Sequence, residues 1–446
     1  MHQNNYKRIV KLAIPVILAN ASVPLLGLAD TAAIGQTGAA ADLGAIALAS
    51  LIFNFVYWGF GFLRMGTTGF ISQALGANDK NEVDAVFFRA VLLGLIIGLV
   101  LIILQKGIGE LAIHLLNGST EIKSLVRDYF YIRIWGAPAT LITFTLLGTL
   151  IGGGWTKQLL LLQLFLNGLN VLLNLLCVLV FEMGVKGIAL GTLLAEWSTL
   201  CFGLYMVLRQ LGIHQVKERI GILWQQIMDR AKLISMVRVN SDIMIRTLAL
   251  LSGFAWFANQ GAAFGDTTLA ANHVLLQFVS LSAFFLDGYA HVAEMLTGKA
   301  FGARDIRTFS REVRDSSRIA GITALCLALI IYSLGAPLVA LLTQDLEVQR
   351  VASQHVIYAA IYIALSFGAF QLDGVFIGIT KSKQMRNATL ASLLVFLLLA
   401  NGLSPIWGNA GLWISFIAYV VARALFLWYY YVEIRKELHT AAPSRG

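Results

Sequence analysis

The sequence predicts an all-α polytopic membrane protein: twelve transmembrane helices in two parallel six-helix repeats. Three observations carry this: a composition too apolar for a soluble core, twelve apolar runs of membrane-spanning length, and self-similarity at a shift of 226 residues. Of the 446 residues 58% are hydrophobic and only 13% charged, and the mean hydropathy is +0.76. A water-soluble domain cannot bury that much apolar surface, so the bilayer must serve as solvent. Cys177, Cys201 and Cys326 all lie inside apolar runs without CxxC spacing and read as small buried hydrophobes, not as a disulfide frame or a metal cluster.

Runs of roughly 20 apolar residues mark spans. They are expected near 9–34, 44–72, 85–105, 125–152, 158–180, 186–208, 233–258, 268–297, 317–342, 352–379, 386–404 and 411–432. The first run is too long for a signal-peptide apolar region and is read as a genuine span. With the N-terminus inside, inner segments carry 24 of the 33 Lys and Arg residues and outer segments only five, so the positive-inside rule places both termini in the cytoplasm. The net charge of +9 is thereby explained as a topology signal, without nucleic acid as a partner.

The 226-residue shift lays Gly69–Asp79 on Met295–Asp305, matching Ala74, Gly76, Ala77 and Asp79 with Ala300, Gly302, Ala303 and Asp305. It also sets Gly148, Ile151, Gly152, Lys157 and Gln158 on Gly374, Ile377, Gly378, Lys383 and Gln384. One shift serving separated places indicates duplication, and an even number of spans per half makes the repeats parallel. The expected organisation is an N-terminal lobe (1–208), a basic cytoplasmic linker (209–232) and a C-terminal lobe (233–446) with a short tail. Two similar bundles rocking about a cavity are a design of secondary transporters, and no filter-like loop or charged ring points to a channel.

Asp30 is the residue to explain. It is the lone acid of the first span, about 21 residues in, hence in the outer half of the membrane, where an ionised carboxylate costs roughly 2.5 to 3.5 kcal/mol. Pro15 and Pro24 each remove a backbone donor from the same span and make it bendable. Burial raises a carboxyl's pKa, so a titrating acid on a bendable helix can act as one switch. Asn167, Asn170 and Asn174 share one face of the fifth span, which must look into the bundle, either as interhelical glue or as partners of Asp30 or a substrate. Tyr129 and Thr192 are candidates at the same level, and helix packing explains them equally well. Asp242 and Arg246, spaced i, i+4, are expected to neutralise one another. Asp287 and Asp373, with His291 and Glu294 nearby, form a second ionisable group, read as a gating salt-bridge network ahead of a cation or proton site. Glu196 and His273 have no assigned role.

No catalytic constellation is evident. Gly152-Gly-Gly-Trp-Thr-Lys157 lacks the phosphate-loop pattern, and neither HExxH nor GxSxG occurs, so the chain is expected to be no enzyme and to need no cofactor or structural metal.

Asp30 within Gly27-Leu-Ala-Asp30-Thr, Pro15 fifteen residues earlier, and the paired motifs Gln73-Ala-Leu-Gly-Ala and Lys299-Ala-Phe-Gly-Ala resemble the multidrug and toxic compound extrusion (MATE) transporters. Leu372-Asp-Gly-Val-Phe-Ile-Gly378 and Phe285-Leu-Asp-Gly-Tyr289 are similar to its DinF branch. The resemblance implies a V-shaped, two-lobed, monomeric inner-membrane antiporter that expels bulky, often cationic amphipathic drugs in exchange for H⁺ or Na⁺. It assigns proton coupling to Asp30, helix bending to Pro15 and the pocket to Tyr129, Asn170, Asn174 and Thr192. Asn174 stands where archaeal relatives carry a second acid, which favours H⁺ over Na⁺. The C-terminal cation site of NorM-type members is matched only in part, by Asp373, and Na⁺ coupling stays open. The rival reading is a lipid-linked precursor flippase of the related superfamily.

Overall fold

The computed structural model describes the backbone of residues 2–37, 40–115, 119–212 and 220–441, and the side chains of 5–24, 41–115, 119–212 and 224–437. Among them every regular element is helical. In chain order they are α1 (His2–Thr37), α2 (Ala40–Gly59), α3 (Phe62–Gly76), α4 (Lys80–Ile103), α5 (Gln105–Leu115), α6 (Thr120–Arg133), α7 (Ala137–Gly153), α8 (Thr156–Leu175), α9 (Gly184–Leu211), α10 (Ile220–Ile227), α11 (Arg230–Ala262), α12 (Asp266–Gly302), α13 (Ile306–Leu342), α14 (Leu346–Gly378) and α15 (Ser382–Ala441). A short 3₁₀ turn, Ile134–Gly136, joins α6 to α7, and a π-helical turn, Leu176–Val180, ends α8. Ten helical stretches among the described residues are long and apolar enough to cross a membrane.

Each expected span falls in helix. The second is divided between α2 and α3, and the fourth runs through α6 and α7. The last two are merged in α15, whose 60 residues would reach about 90 Å if straight, far beyond one bilayer crossing. Pro405 and a non-helical Gly408 (φ 59°, ψ −137°) break it at the expected boundary. Beside the break, Asn409 and Asn272 of α12 exchange amide hydrogen bonds of 2.8 and 3.0 Å, and Trp413 Nε1 donates to Asn272 Oδ1 at 2.9 Å.

The duplication is visible in the backbone. Asn78 and Arg304 both take positive φ (57° and 54°), as do Gly154 (82°) and Thr380 (55°), and each pair is related by the 226-residue shift. Asp79 caps α4 by accepting from Glu82 N, and its counterpart Asp305 caps α13 by accepting from Arg307 N and Thr308 N. The Thr308 amide holds the Asp305 carboxyl below its usual range. A Cβ on Gly148 would stand 2.4 Å from Arg64 O, and one on Gly374 would stand 2.5 Å from Ala290 O. The matched glycines therefore let matched helices pack backbone to backbone.

The chain forms two compact units. One comprises Leu18–Ile71 and Asp79–Met236; the other comprises Met1–Ile17, Ser72–Asn78 and Val237–Gly446. In the first, α4 packs on α7, and α8 and α6 pack on α9. The second is built on α12, α13, α14 and α15 around an aromatic core of Phe257, Phe396, Trp413, Phe416 and Tyr419. It also holds the N-terminal half of α1, where Ile9 and Ala13 pack with Tyr289, Val292 and Met295. Asn5 Nδ2 donates to Asp315 Oδ2 at 2.8 Å, and Arg8 pairs with Glu312 at 2.9 Å. α1 thus contributes to both units, and the division along the chain falls between Ile17 and Leu18, just beyond the buried Pro15.

Candidate functional site

The polar residues singled out in the first half belong to one unit. α8 carries Asn167, Asn170 and Asn174 one turn apart, and all three are buried. Asn174 Nδ2 donates to Asn170 Oδ1 at 2.7 Å, while Asn167 Nδ2 donates to Ser22 Oγ of α1 at 2.7 Å. Gln163 Nε2 extends the row to Asn167 Oδ1 at 3.4 Å. α8 and α9 come close because Gly191 presents no side chain: a Cβ there would lie 2.2 Å from Asn174 Oδ1. The next residue, Thr192, is buried beside this contact. The π turn begins two residues after Asn174, and such turns occur often at functional positions. The Asp30 side chain lies outside the described residues; its backbone is part of α1.

Tyr129 on α6 is buried and opens onto a group that sequence reading left unassembled. Its phenolic oxygen accepts from Arg133 Nη1 at 3.1 Å. Arg133 Nη2 pairs with Glu196 Oε1 of α9 at 3.5 Å, and the guanidinium sits 4.6 Å from the Phe53 ring centroid. Gly136 makes room for this carboxylate: a Cβ there would be 2.0 Å from Glu196 Oε2. Arg133 and Glu196 were each visible as isolated charges within spans. Their pairing was not, since nothing in their spacing joins them.

In the second unit, Asp373 of α14 is buried between two guanidinium groups. Arg246 Nη2 of α11 lies 2.7 Å from Asp373 Oδ2, and Arg423 Nε of α15 lies 3.8 Å from the same oxygen. Asp287 adds its charge near Arg423. The expected pairing of Asp242 with Arg246 is not what forms. Asp242 instead accepts from Arg386 Nη1 at 2.6 Å and Ser382 Oγ at 3.0 Å. The i, i+4 spacing did put both on one face, but each fork found a better-placed partner on a neighbouring helix. His291 Nε2 lies 4.0 Å from Glu294, and His273 Nε2 contacts Gln277. The three cysteines are free thiols, and no group of three His, Cys, Asp or Glu side chains suited to a metal is present among the described residues.

A family model described as MatE matches residues 15–176 and 247–401, one segment in each repeat. The chain is 34% identical over 422 residues to DNA damage-inducible protein F of Escherichia coli (strain K12), covering 94% of this chain and 91% of that one. It is 23% identical to a probable multidrug resistance protein NorM of Halalkalibacterium halodurans, covering 99% and 97%. Among solved structures, one described as the outward-facing conformation of a multidrug resistance MATE family transporter of the MOP superfamily superimposes with a TM-score of 0.86. It shares 20% identity and covers 98% of this chain and 97% of its own, a likeness of fold.

Proposed function

Because the chain belongs to the MatE family of multi-pass membrane transporters, we propose that it is a secondary antiporter that exports bulky, often cationic amphipathic compounds in exchange for H⁺ by alternating access. It would work as a monomer in the inner membrane with both termini in the cytoplasm. Asp30 carries the exchanged proton, and Tyr129, Asn170, Asn174 and Thr192 line the pocket.

The observation that carries the reading is the asymmetry of the repeats. Under the shift that matches their backbones, Asp30, Asn170, Asn174 and Thr192 fall on Trp256, Phe396, Ala400 and Ala418. These four positions have apolar or aromatic counterparts, and each polar member costs free energy in a membrane interior unless it is used or mutually satisfied. The Asn167–Ser22 bond ties this polar face to the helix that bears Asp30, so protonation there can be felt by α1. Protonation removes the desolvation cost of the carboxylate, and release of the substrate on the outer side follows.

H⁺ is favoured over Na⁺ because Asp373, the partial match to a C-terminal cation site, is already held by Arg246 and Arg423. A carboxylate flanked by two fixed positive charges is a poor ligand for another cation. The test is drug efflux from proteoliposomes under imposed proton or sodium gradients. Asp30→Asn should insert normally and lose proton-driven efflux, whereas the wild type should ignore a sodium gradient. Full resistance conferred by Asp30→Asn would remove the acid from the mechanism, and sodium-driven efflux would replace the coupling ion.

A further inference from the structure

A cavity of about 610 Å³ opens between the first turns of α13 and the end of α15, lined by three arginines, Arg314, Arg318 and Arg435, and by no acid among its described residues. Gly321, Phe367 and Trp428 are among the other residues that line it. We propose that this groove binds the headgroup of an anionic phospholipid from the cytoplasmic leaflet. Only the choice of leaflet rests on the orientation proposed above; the site itself does not depend on what is exported.

Depth supports a headgroup site. Arg314 lies just before the apolar run expected at 317–342 and Arg318 at its start, while Arg435 lies just past the run expected at 411–432. The three guanidinium groups therefore sit where phosphates do, and basic pockets between helices at that level bind anionic headgroups. One turn deeper the groove is apolar. A Cβ at Gly321 would already be 3.2 Å from Phe367 Cε2, so the missing side chain sets the floor. Farther along the same helix, Ile322, Leu325 and Leu329 are 64, 54 and 56% exposed, a face for acyl chains. Trp428, half-exposed beside Arg435, is the residue type enriched at the membrane–water interface.

Charge complementarity selects the occupant. Arg314 Nε spends one contact on Asp315 at 3.4 Å, and Arg318 Nη1 one on Tyr6 Oη at 3.3 Å. A guanidinium has five donors, so each keeps several for phosphate oxygens. A free phosphate would leave the apolar floor unused, whereas a phospholipid fills both levels. The site also touches α1: Arg318 holds Tyr6, and Phe367 packs against the cluster that seats Ile9 and Ala13. A bound lipid would brace the inner half of the helix that carries Pro15.

The test reads quenching of Trp428 emission, isolated as the difference between the full-length protein and Trp428→Phe, in phosphatidylcholine vesicles doped with brominated phosphatidylglycerol or brominated phosphatidylcholine. The anionic lipid should quench at about tenfold lower mole fraction. The triple variant Arg314→Gln, Arg318→Gln, Arg435→Gln should erase the difference. Equal quenching by both lipids in the wild type overturns the proposal, as does a triple variant that keeps the preference. At constant ionic strength, loss of the preference on exchanging chloride for inorganic phosphate would assign the groove to a free anion and also overturn it. If the triple variant fails to purify as a folded protein, salt decides: the wild-type preference should fall several-fold at high ionic strength, and a salt-independent preference refutes it.

Discussion

Arg133 and Glu196 illustrate how single residues act in this protein. Glu196 is buried and Arg133 nearly so, on different helices, and each compensates the other's charge while Arg133 also holds Tyr129. Removing one partner of a buried pair strands the other and typically costs about 3 to 5 kcal/mol, whereas replacing both with apolar groups can be nearly neutral. Glu196→Leu should therefore lower the thermal midpoint markedly, and the double variant Arg133→Met, Glu196→Leu should recover most of the loss. Strictly additive losses in a double-mutant cycle would show that the two charges do not depend on one another. At this scale the sequence displayed the individual candidates well. Asp30 and the three asparagines stood out because polar groups in apolar runs are costly. The Arg133–Glu196 and Arg246–Asp373 pairs could not be read, because side chains from distant spans meet only after helices pack. The Asp242–Arg246 pairing was misjudged for the same reason.

Helix α1 is the element on which the proposed coupling turns. Its N-terminal half is fastened by Asn5, Arg8, Ile9 and Ala13, and its C-terminal half is bonded through Ser22 to Asn167. Pro15, between these attachments, deprives the Lys11 carbonyl of its helical donor, which leaves the helix easy to bend at that point. Pro15→Ala should restore the missing bond, insert and fold normally, and reduce efflux several-fold. Unchanged efflux in whole cells at equal expression would reduce the proline to packing. Elements as a class were legible in advance: all twelve apolar runs lie in helix, since a backbone in lipid must satisfy its own hydrogen bonds. Breaks were less so. The interruption at Gly408 separates two expected spans, but the division of the second span between α2 and α3 and the π turn after Asn174 had no clear signature.

At the scale of the whole molecule the two copies of one motif meet. A Cβ on Gly76 would lie 2.0 Å from Lys299 O, and one on Gly302 would lie 2.1 Å from Gln73 O; Gln73 and Lys299 are themselves counterparts under the 226-residue shift. The contact is reciprocal, as between partners related by a two-fold axis. Gln73 Nε2 adds a bond of 2.9 Å to Gly378 O. Either Gly76→Ala or Gly302→Ala should destabilise the protein by about 1 to 3 kcal/mol through backbone overlap, and the double variant by less than their sum. Gly168→Ala, where nothing lies within 4 Å, should be neutral or slightly stabilising. Equal thermal midpoints for all three variants would show that this approach does not hold the motifs together. The sequence by itself determined the helices, the duplication and the apolar counterparts that Asp30, Asn170, Asn174 and Thr192 have in the other repeat. Each of these follows from local periodicity, from repetition, or from the cost of a polar group in lipid. Only the tertiary structure decided which charges neutralise one another, that the first helix serves both units, and that two arginines already occupy Asp373. Those facts depend on side chains brought together across long stretches of chain, and spacing along the chain carries no record of such meetings.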